Sequence, residues 1–331
     1  MELNNKSILI TGGTGSLGHA ITDHLIRTKK KLKRLIILSR DEQKQFLMSK
    51  IYSEEKYPFI RYFIGDVRDK DRLKRAFKNV DYVIHAAAMK HVPIAEYNPD
   101  ECIKTNINGA QNVISASLDS EVKKVVAIST DKACSPVNLY GATKLTSDKL
   151  FIAANNFKGR SSISFSVVRY GNVMGSKGSV IPFFMKMKQN GLIPITDPKM
   201  TRFNITLKES IKIIFYAIKN SLGGELFVPK IPSYNIMELA EAIAPNIKKE
   251  IIGVRPGEKI HEEMISRSDS DFTYDIGKYY VTLPNSKYIK PEIYSEKYNL
   301  KKVRKGFSYN SGENKDFLSV EDLRDLIKSH V

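Results

Sequence analysis

Along the first half of the chain, short runs of consecutive apolar residues alternate with longer stretches of mixed, helix-like periodicity. SILIT (Ser7–Thr11), LIIL (Leu35–Leu38), RYFIG (Arg61–Gly65), DYVIHAAA (Asp81–Ala88) and KVVAIS (Lys124–Ser129) are the apolar runs. Continuous apolar runs of this length predict strands buried on both faces. One intervening helix is marked at its start by NPDECIKTN. Asn98 takes the cap position, Pro99 the first turn, and Asp100 and Glu101 suit the helix N-terminus. Regular strand–helix alternation predicts an α/β fold with a doubly wound parallel sheet. ISFSVVRYGNV (Ile163–Val173) reads as one more strand leading to the sheet's ligand edge. Beyond about Gly175 the pattern loosens, with Gly- and Pro-containing loops such as PITDPKMTRF and IGVRPGEKIHEEM. The expected division is a nucleotide-binding domain over 1–175 and a smaller substrate-binding region over 176–331, interleaved with the first.

Composition narrows the class. A 331-residue chain with 42% hydrophobic residues has room for a large core. No apolar window approaches the length of a membrane span, and the N-terminus lacks the basic region of a signal peptide. Cys102 and Cys134 fit no metal or redox spacing, which suits reduced thiols in a cytoplasmic protein. The net charge of +17 raises nucleic acid, anionic membranes and small polyanions as partners. Its densest run, Arg27–Arg34, falls between a helix end and a strand, where cations complement the helix C-terminus. No nucleic-acid-binding signature accompanies it. The excess charge reads as partly solvated surface and partly service to phosphorylated ligands.

The first strand runs directly into TGGTGSLGHAI. Gly13, Gly15 and Gly18 fit G-x-G-x-x-G, and Gly12, Gly15 and Gly18 fit G-x-x-G-x-x-G. With a strand before and a helix after, this is the context of a Rossmann-type dinucleotide site, the pyrophosphate lying at the helix N-terminus. The second strand ends in Ser39 and Arg40 rather than a carboxylate. A guanidinium there suits the 2′-phosphate of NADP, although Asp41 and Glu42 follow closely. Asp66 and Val67, in GDVRD, fall where an adenine edge would lie; the alternative for Asp66 is a helix cap.

Tyr140 and Lys144 stand at i and i+4 on a helix beginning near Tyr140, so they share a face. A neighbouring lysine is expected to lower the phenol's pKa and make it a base able to take a hydroxyl proton as hydride leaves the carbon. After the fifth strand of a dinucleotide fold, this is the signature of a short-chain dehydrogenase/reductase.

TGGTGSLG, HAAAMKHVP, STDKA, YGATK, RYGNVMGSKGSVIPFF, ITDPKMTRF and IGVRPGEKIHE together resemble the extended short-chain dehydrogenases that modify nucleotide sugars. More closely they resemble the configuration-inverting UDP-N-acetylglucosamine 4,6-dehydratases of the pseudaminic acid pathway, which serves flagellin glycosylation. That resemblance implies oxidation at sugar C4, loss of the C5 proton and C6 hydroxyl, and return of hydride to C6. It assigns oxidation to Tyr140 and Lys144, and elimination to Asp131 and Lys132 with Thr130 beside them. Lys132 would have to be neutral, a state that burial and nearby cations would favour. For NADP it implies contacts from Gly12, Thr14, Gly15, Ser16, Leu17, Gly18, Ser39, Arg40, Asp41, Glu42, Lys44, Asp66, Val67, Ala86, Lys90, Tyr140, Lys144 and the run Val173, Met174, Gly175, Ser176 and Lys177. For the UDP-sugar it implies Lys90, Thr105, Asn106, Asn172, Val180, Thr196, Arg255 and Glu258. Arg202 is a further candidate without a firm role. His261 begins HEEMI, which lacks the second histidine of a zinc site, so no metal is expected. The family also implies a homo-oligomer, often a hexamer. A UDP-sugar epimerase or 4-reductase is the competing enzyme, and a non-catalytic NADP sensor the competing class; Asp131-Lys132 argues against the first, and the full set of four residues against the second.

Overall fold

A computed structural model of the chain describes residues 3–28, 31–176, 179–285 and 291–330. Its main sheet has ten strands. The first six in the chain are parallel: β1 (Ser7–Thr11), β2 (Arg34–Ser39), β3 (Ile60–Ile64), β4 (Tyr82–His85), β5 (Lys124–Thr130) and β6 (Ser164–Tyr170). Their spatial order is 3-2-1-4-5-6. The order reverses between β1 and β4, so a crevice opens at the C-terminal ends of these two strands, the usual ligand position in such sheets. Seven helices connect the six strands: α1 (Ser16–Arg27), α2 (Glu42–Ile51), α3 (Lys70–Ala76), α4 (Val92–Tyr97), α5 (Pro99–Ile103), α6 (Gly109–Leu118) and α7 (Leu139–Ala153). A π-helical turn, Lys104–Asn108, joins α5 to α6. The apolar runs of the central strands are buried, with Ile8, Leu9, Ile10, Leu35, Ile36 and Ile37 inaccessible to solvent, whereas β3, at the sheet edge, is only half-buried and exposes Ile64. Asn98 holds the cap position of α5, but its side chain donates back to the Ile94 carbonyl instead of capping.

The second half of the chain does not stand apart. The strand at Leu226–Pro229 adds parallel to β6, and Tyr279–Thr282, Thr273–Asp275 and Lys301–Lys302 extend the same sheet antiparallel. The helix Leu207–Asn220, closed by a Thr206/Glu209 capping box, covers β5 and β6. A second, smaller apolar core gathers Met174, Phe184, Ile195, Tyr234, Leu239 and Leu323. It lies beyond the C-terminal ends of β5 and β6, on the segments that follow the crevice.

Candidate active site

The turn from β1 into α1 forms a cradle. Gly12 has φ +66°, and a Cβ there would lie 2.9 Å from the Ala87 backbone just past β4. Only glycine allows the two strand ends to approach this closely. α1 starts after Gly15 with no side-chain cap and no acid in its first turn, so its N–H groups at Ser16 and beyond are left for an anion. Thr14 Oγ1 and Ser39 Oγ lie 2.8 Å apart, closing the cradle toward β2. An open helix end, a glycine-lined wall and neutral hydroxyls fit a dinucleotide diphosphate.

Arg40 is largely exposed at the tip of β2, 3.8 Å from Asp66 Oδ2. The carboxylates that follow it are committed elsewhere or begin α2. Asp41 caps α2, accepting from the Lys44 N–H at 2.9 Å and from Lys44 Nζ at 2.7 Å. The Lys44 hydrogen bonds hold the Asp41 carboxyl below its ordinary range. Asp66 is gripped by Arg68, whose Nε and NH2 donate at 3.0 and 2.7 Å. α3 is capped by Asp69, so the cap alternative for Asp66 fails. Val67 is buried against Gly109, and the Ala86 N–H continues the β1–β4 ladder to Thr11.

β5 delivers Thr130 to the crevice and ends in a 3₁₀ turn, Asp131–Ala133. α7, capped by Asn138, begins against that turn. A Cβ on Gly141 would lie 2.2 Å from the Lys132 carbonyl oxygen, so glycine lets the Tyr140 end of α7 touch the Asp131-Lys132 turn. Lys132 Nζ lies 3.1 Å from Asp131 Oδ1, 3.2 Å from Glu262 Oε1 and 3.4 Å from Asn172 Oδ1. Arg202 Nε stands 3.8 Å from the same Glu262 oxygen. Asp131 and Glu262 are buried, and each keeps one oxygen, Oδ2 and Oε2, without a hydrogen-bond partner.

This geometry corrects two expectations. Burial alone would neutralise Lys132, but Asp131 and Glu262 outweigh it and raise the ammonium above its ordinary value. The nearby cation, Arg202, is the weaker influence, so Lys132 rests charged. Tyr140 is not acidified by Lys144: burial pushes the phenol up to about 12, with Lys132 and the Thr130 hydroxyl pulling against it. Lys144 is itself buried and lowered by that burial, against a pull from Asp148 one turn on. Asp148 accepts from Ser129 at 2.7 Å and pairs with Arg169 at 3.0 Å. Asp131 is raised by burial, and Glu262 adds to the rise against Lys132. Burial would raise Glu262 too, yet Lys132, Arg202 and Lys259 bring it below its ordinary value.

The remaining predicted residues scatter around this cluster. Lys90 is exposed on the loop after β4. Thr105 is buried in the π-helical turn, its hydroxyl unpartnered. Asn106 is engaged in structure: its amide bonds both the N–H and the carbonyl of Met89, and Thr143 on α7. Asn172 sits beside Lys132, and Val173, Met174, Gly175 and Ser176 continue from it along the strand Asn172–Val173 and the turn that follows. Lys177 lies outside the described residues. Val180 opens the helix Val180–Lys188, and Thr196 follows the strand Leu192–Ile195. Arg255 and Glu258 pair with each other, leaving Glu258 Oε2 buried and unpartnered. Sequence reasoning missed Glu262. Its signal was the alternation in KIHEE: His261 bonds Thr201 and lines a cavity of about 490 Å³, whereas the next residue turns to Lys132.

Residues 8–284 match the family model described as polysaccharide biosynthesis protein. The chain is 55% identical over 330 residues to a protein of Campylobacter jejuni subsp. jejuni serotype O:23/36 (strain 81-176) named UDP-N-acetylglucosamine 4,6-dehydratase (inverting), covering 98% of each. It is 44% identical over 283 residues to a protein of Rickettsia bellii (strain OSU 85-389) named UDP-glucose 4-epimerase, covering 83% of this chain and 82% of that one. Among solved structures, Pen from Bacillus thuringiensis matches with a TM-score of 0.89 and 40% identity over 100% of both chains.

Proposed function

We propose that this chain, which belongs to the polysaccharide biosynthesis protein family and within it to the group of the inverting UDP-N-acetylglucosamine 4,6-dehydratases, removes water from UDP-N-acetylglucosamine with inversion at C5. The product would be UDP-2-acetamido-2,6-dideoxy-β-L-arabino-hexos-4-ulose. The observation that carries this reading is the buried Asp131–Lys132–Glu262 cluster beside Tyr140. Oxidation at C4 needs one base, and these residues supply an acid–base set beyond it. When bound, the nicotinamide supplies the acceptor for the C4 hydride and its return to C6. Tyr140 takes the O4 proton; with its phenol pushed up to about 12, it relies on the positive field of Lys132 and on the Thr130 hydroxyl. Asp131, raised by burial, holds a proton to give to the departing O6. Lys132, which rests as an ammonium, takes the C5 proton after first giving up one of its own. Burial of the cluster keeps water from the unsaturated intermediate. Inversion is supported by kinship with relatives that carry it in their name.

NADP is the proposed cofactor, from Ser39 and Arg40. Asn172, Val180, Thr196, Arg255 and Glu258 are proposed to hold the UDP-sugar, on the segments around the second core. Cytoplasmic residence, a homo-oligomer, and the first step toward pseudaminic acid belong to the same proposal. The Rickettsia name favours a second reading, a 4-epimerase. Incubation with UDP-N-acetylglucosamine and no added cofactor separates them by mass: loss of one water supports the dehydratase, an isomer of unchanged mass the epimerase. In heavy water, deuterium should appear at C5. A D-xylo product in a fresh sample would exclude inversion.

A further inference from the structure

Two carboxyl groups and one ammonium share the buried pocket behind the catalytic turn. Asp131 Oδ1 and Glu262 Oε1 approach Lys132 Nζ from either side, at 3.1 and 3.2 Å. Lys132 stands between both carboxyls, while Arg202, 3.8 Å from Glu262 Oε1, serves Glu262 alone, so the pair divides the charge unequally. The surroundings decide which keeps it. Glu262 faces Lys132, Arg202 and Lys259. Asp131 faces Lys132, the Thr130 hydroxyl and Tyr140, and feels Glu262 as a like charge. Tyr234 is the other titratable group that senses the cluster. Glu262 is also held firmly. Its backbone exchanges hydrogen bonds with Ser311, the N–H to Oγ at 2.9 Å and the carbonyl from the Ser311 N–H at 2.7 Å. Two residues on, the Met264 carbonyl accepts from the buried Arg169 at 2.9 Å.

We infer that Glu262 is a positioning residue of the elimination step: it occupies the ionised place opposite Lys132, leaves Asp131 protonated as the acid, and receives the Lys132 proton when Lys132 turns base. This rests on the dehydratase reading and deepens it. The resting cluster is Asp131–COOH, Lys132–NH₃⁺ and Glu262–COO⁻. An N–H bond of Lys132 breaks as an O–H bond forms on Glu262 Oε1. The freed amine then takes the C5 proton, the C5–H electrons form the C5=C6 bond, and the C6–O6 pair leaves with the Asp131 proton as water. The cluster ends as carboxylate, ammonium and carboxylic acid, with its net charge unchanged. Lys132, bridging both carboxyls, is the route by which the proton returns from Glu262 to Asp131.

Glu262→Gln keeps the shape and removes the charge. In the full-length enzyme with UDP-N-acetylglucosamine, kcat for dehydration should fall about a hundredfold or more, with KM within about threefold. The near-ultraviolet signal of C4 oxidation should persist, because Tyr140 and Lys144 are untouched, and C5 deuterium incorporation should be lost. Without the Glu262 charge, Asp131 ionises more readily, so the alkaline limb of the dehydration profile should move down by about one pH unit or more. A structural defect would scale the profile without moving it. Glu262→Asp should restore at least about a tenth of the native rate, and it carries the test should the glutamine variant not fold, with a limb nearer the native position. Dehydration within about threefold of native in Glu262→Gln, or loss of oxidation and dehydration in proportion with the limb unmoved in either variant, overturns the assignment. Failure of the native protein to release water from this substrate would instead overturn the dehydratase reading.

Discussion

Replacing Lys132 with methionine keeps the unbranched stem of the side chain and removes its charged end. In the native cluster the ammonium bonds Asp131, Glu262 and Asn172 within 3.4 Å. Breaking a buried pair typically costs about 3–5 kcal/mol, because a charge is left uncompensated. Two features reduce that here. Asp131, raised by burial, already rests protonated, and Glu262 keeps Arg202 at 3.8 Å. We expect a loss of about 2–3 kcal/mol at pH 8. The sign with pH follows from linkage. Without Lys132 the largest influence lowering Glu262 is gone, so burial raises its folded pKa and the folded state binds more protons. Stability then falls as pH rises between the unfolded and folded pKa, and the loss against native should be smaller at pH 5.5 than at pH 8. Urea unfolding at both pH values measures this. The chemistry should divide as well. Tyr140 and Lys144 remain, so substrate should still change the near-ultraviolet absorbance of the bound nicotinamide. Release of water should fall about a thousandfold or more. Equal loss of the oxidation signal and of dehydration, or a stability loss that grows toward pH 5.5, would refute the reasoning.

Tyr140→Phe should abolish the oxidation signal itself, with rapid-mixing absorbance as the check, since the phenol is the group proposed to take the O4 proton. Arg40→Ala should weaken NADP by about tenfold or more and NAD far less, by calorimetry, because only the former carries a phosphate for the guanidinium; equal losses would argue against Arg40 as the discriminator. Gly141→Ala should push α7 from the Lys132 turn, its Cβ meeting the carbonyl oxygen at 2.2 Å. It should cost about 1–3 kcal/mol in denaturant unfolding and lower kcat more than it raises KM.

The parallel strands, the glycine-lined turn from β1 to α1 and the shared face of Tyr140 and Lys144 were legible because each depends on short sequence spacings. A buried parallel strand needs an uninterrupted apolar run, the β1–α1 turn needs its glycines, and i, i+4 neighbours share a helix face whatever surrounds them. Asp131 and Lys132 were legible as a pair for the same reason. Their charge states were not. Lys132 rests as an ammonium because Asp131 and Glu262, the latter 130 positions away, lie within 3.2 Å, and Tyr140 is raised because the fold buries it. Asn106 illustrates the same limit, since only the packed turn shows its amide tied to Met89. Local spacing therefore determined which chemical groups the crevice holds. Tertiary packing decided which of them carry the protons, because a pKa depends on burial and on every charge within a few ångströms, and those neighbours come from the whole chain.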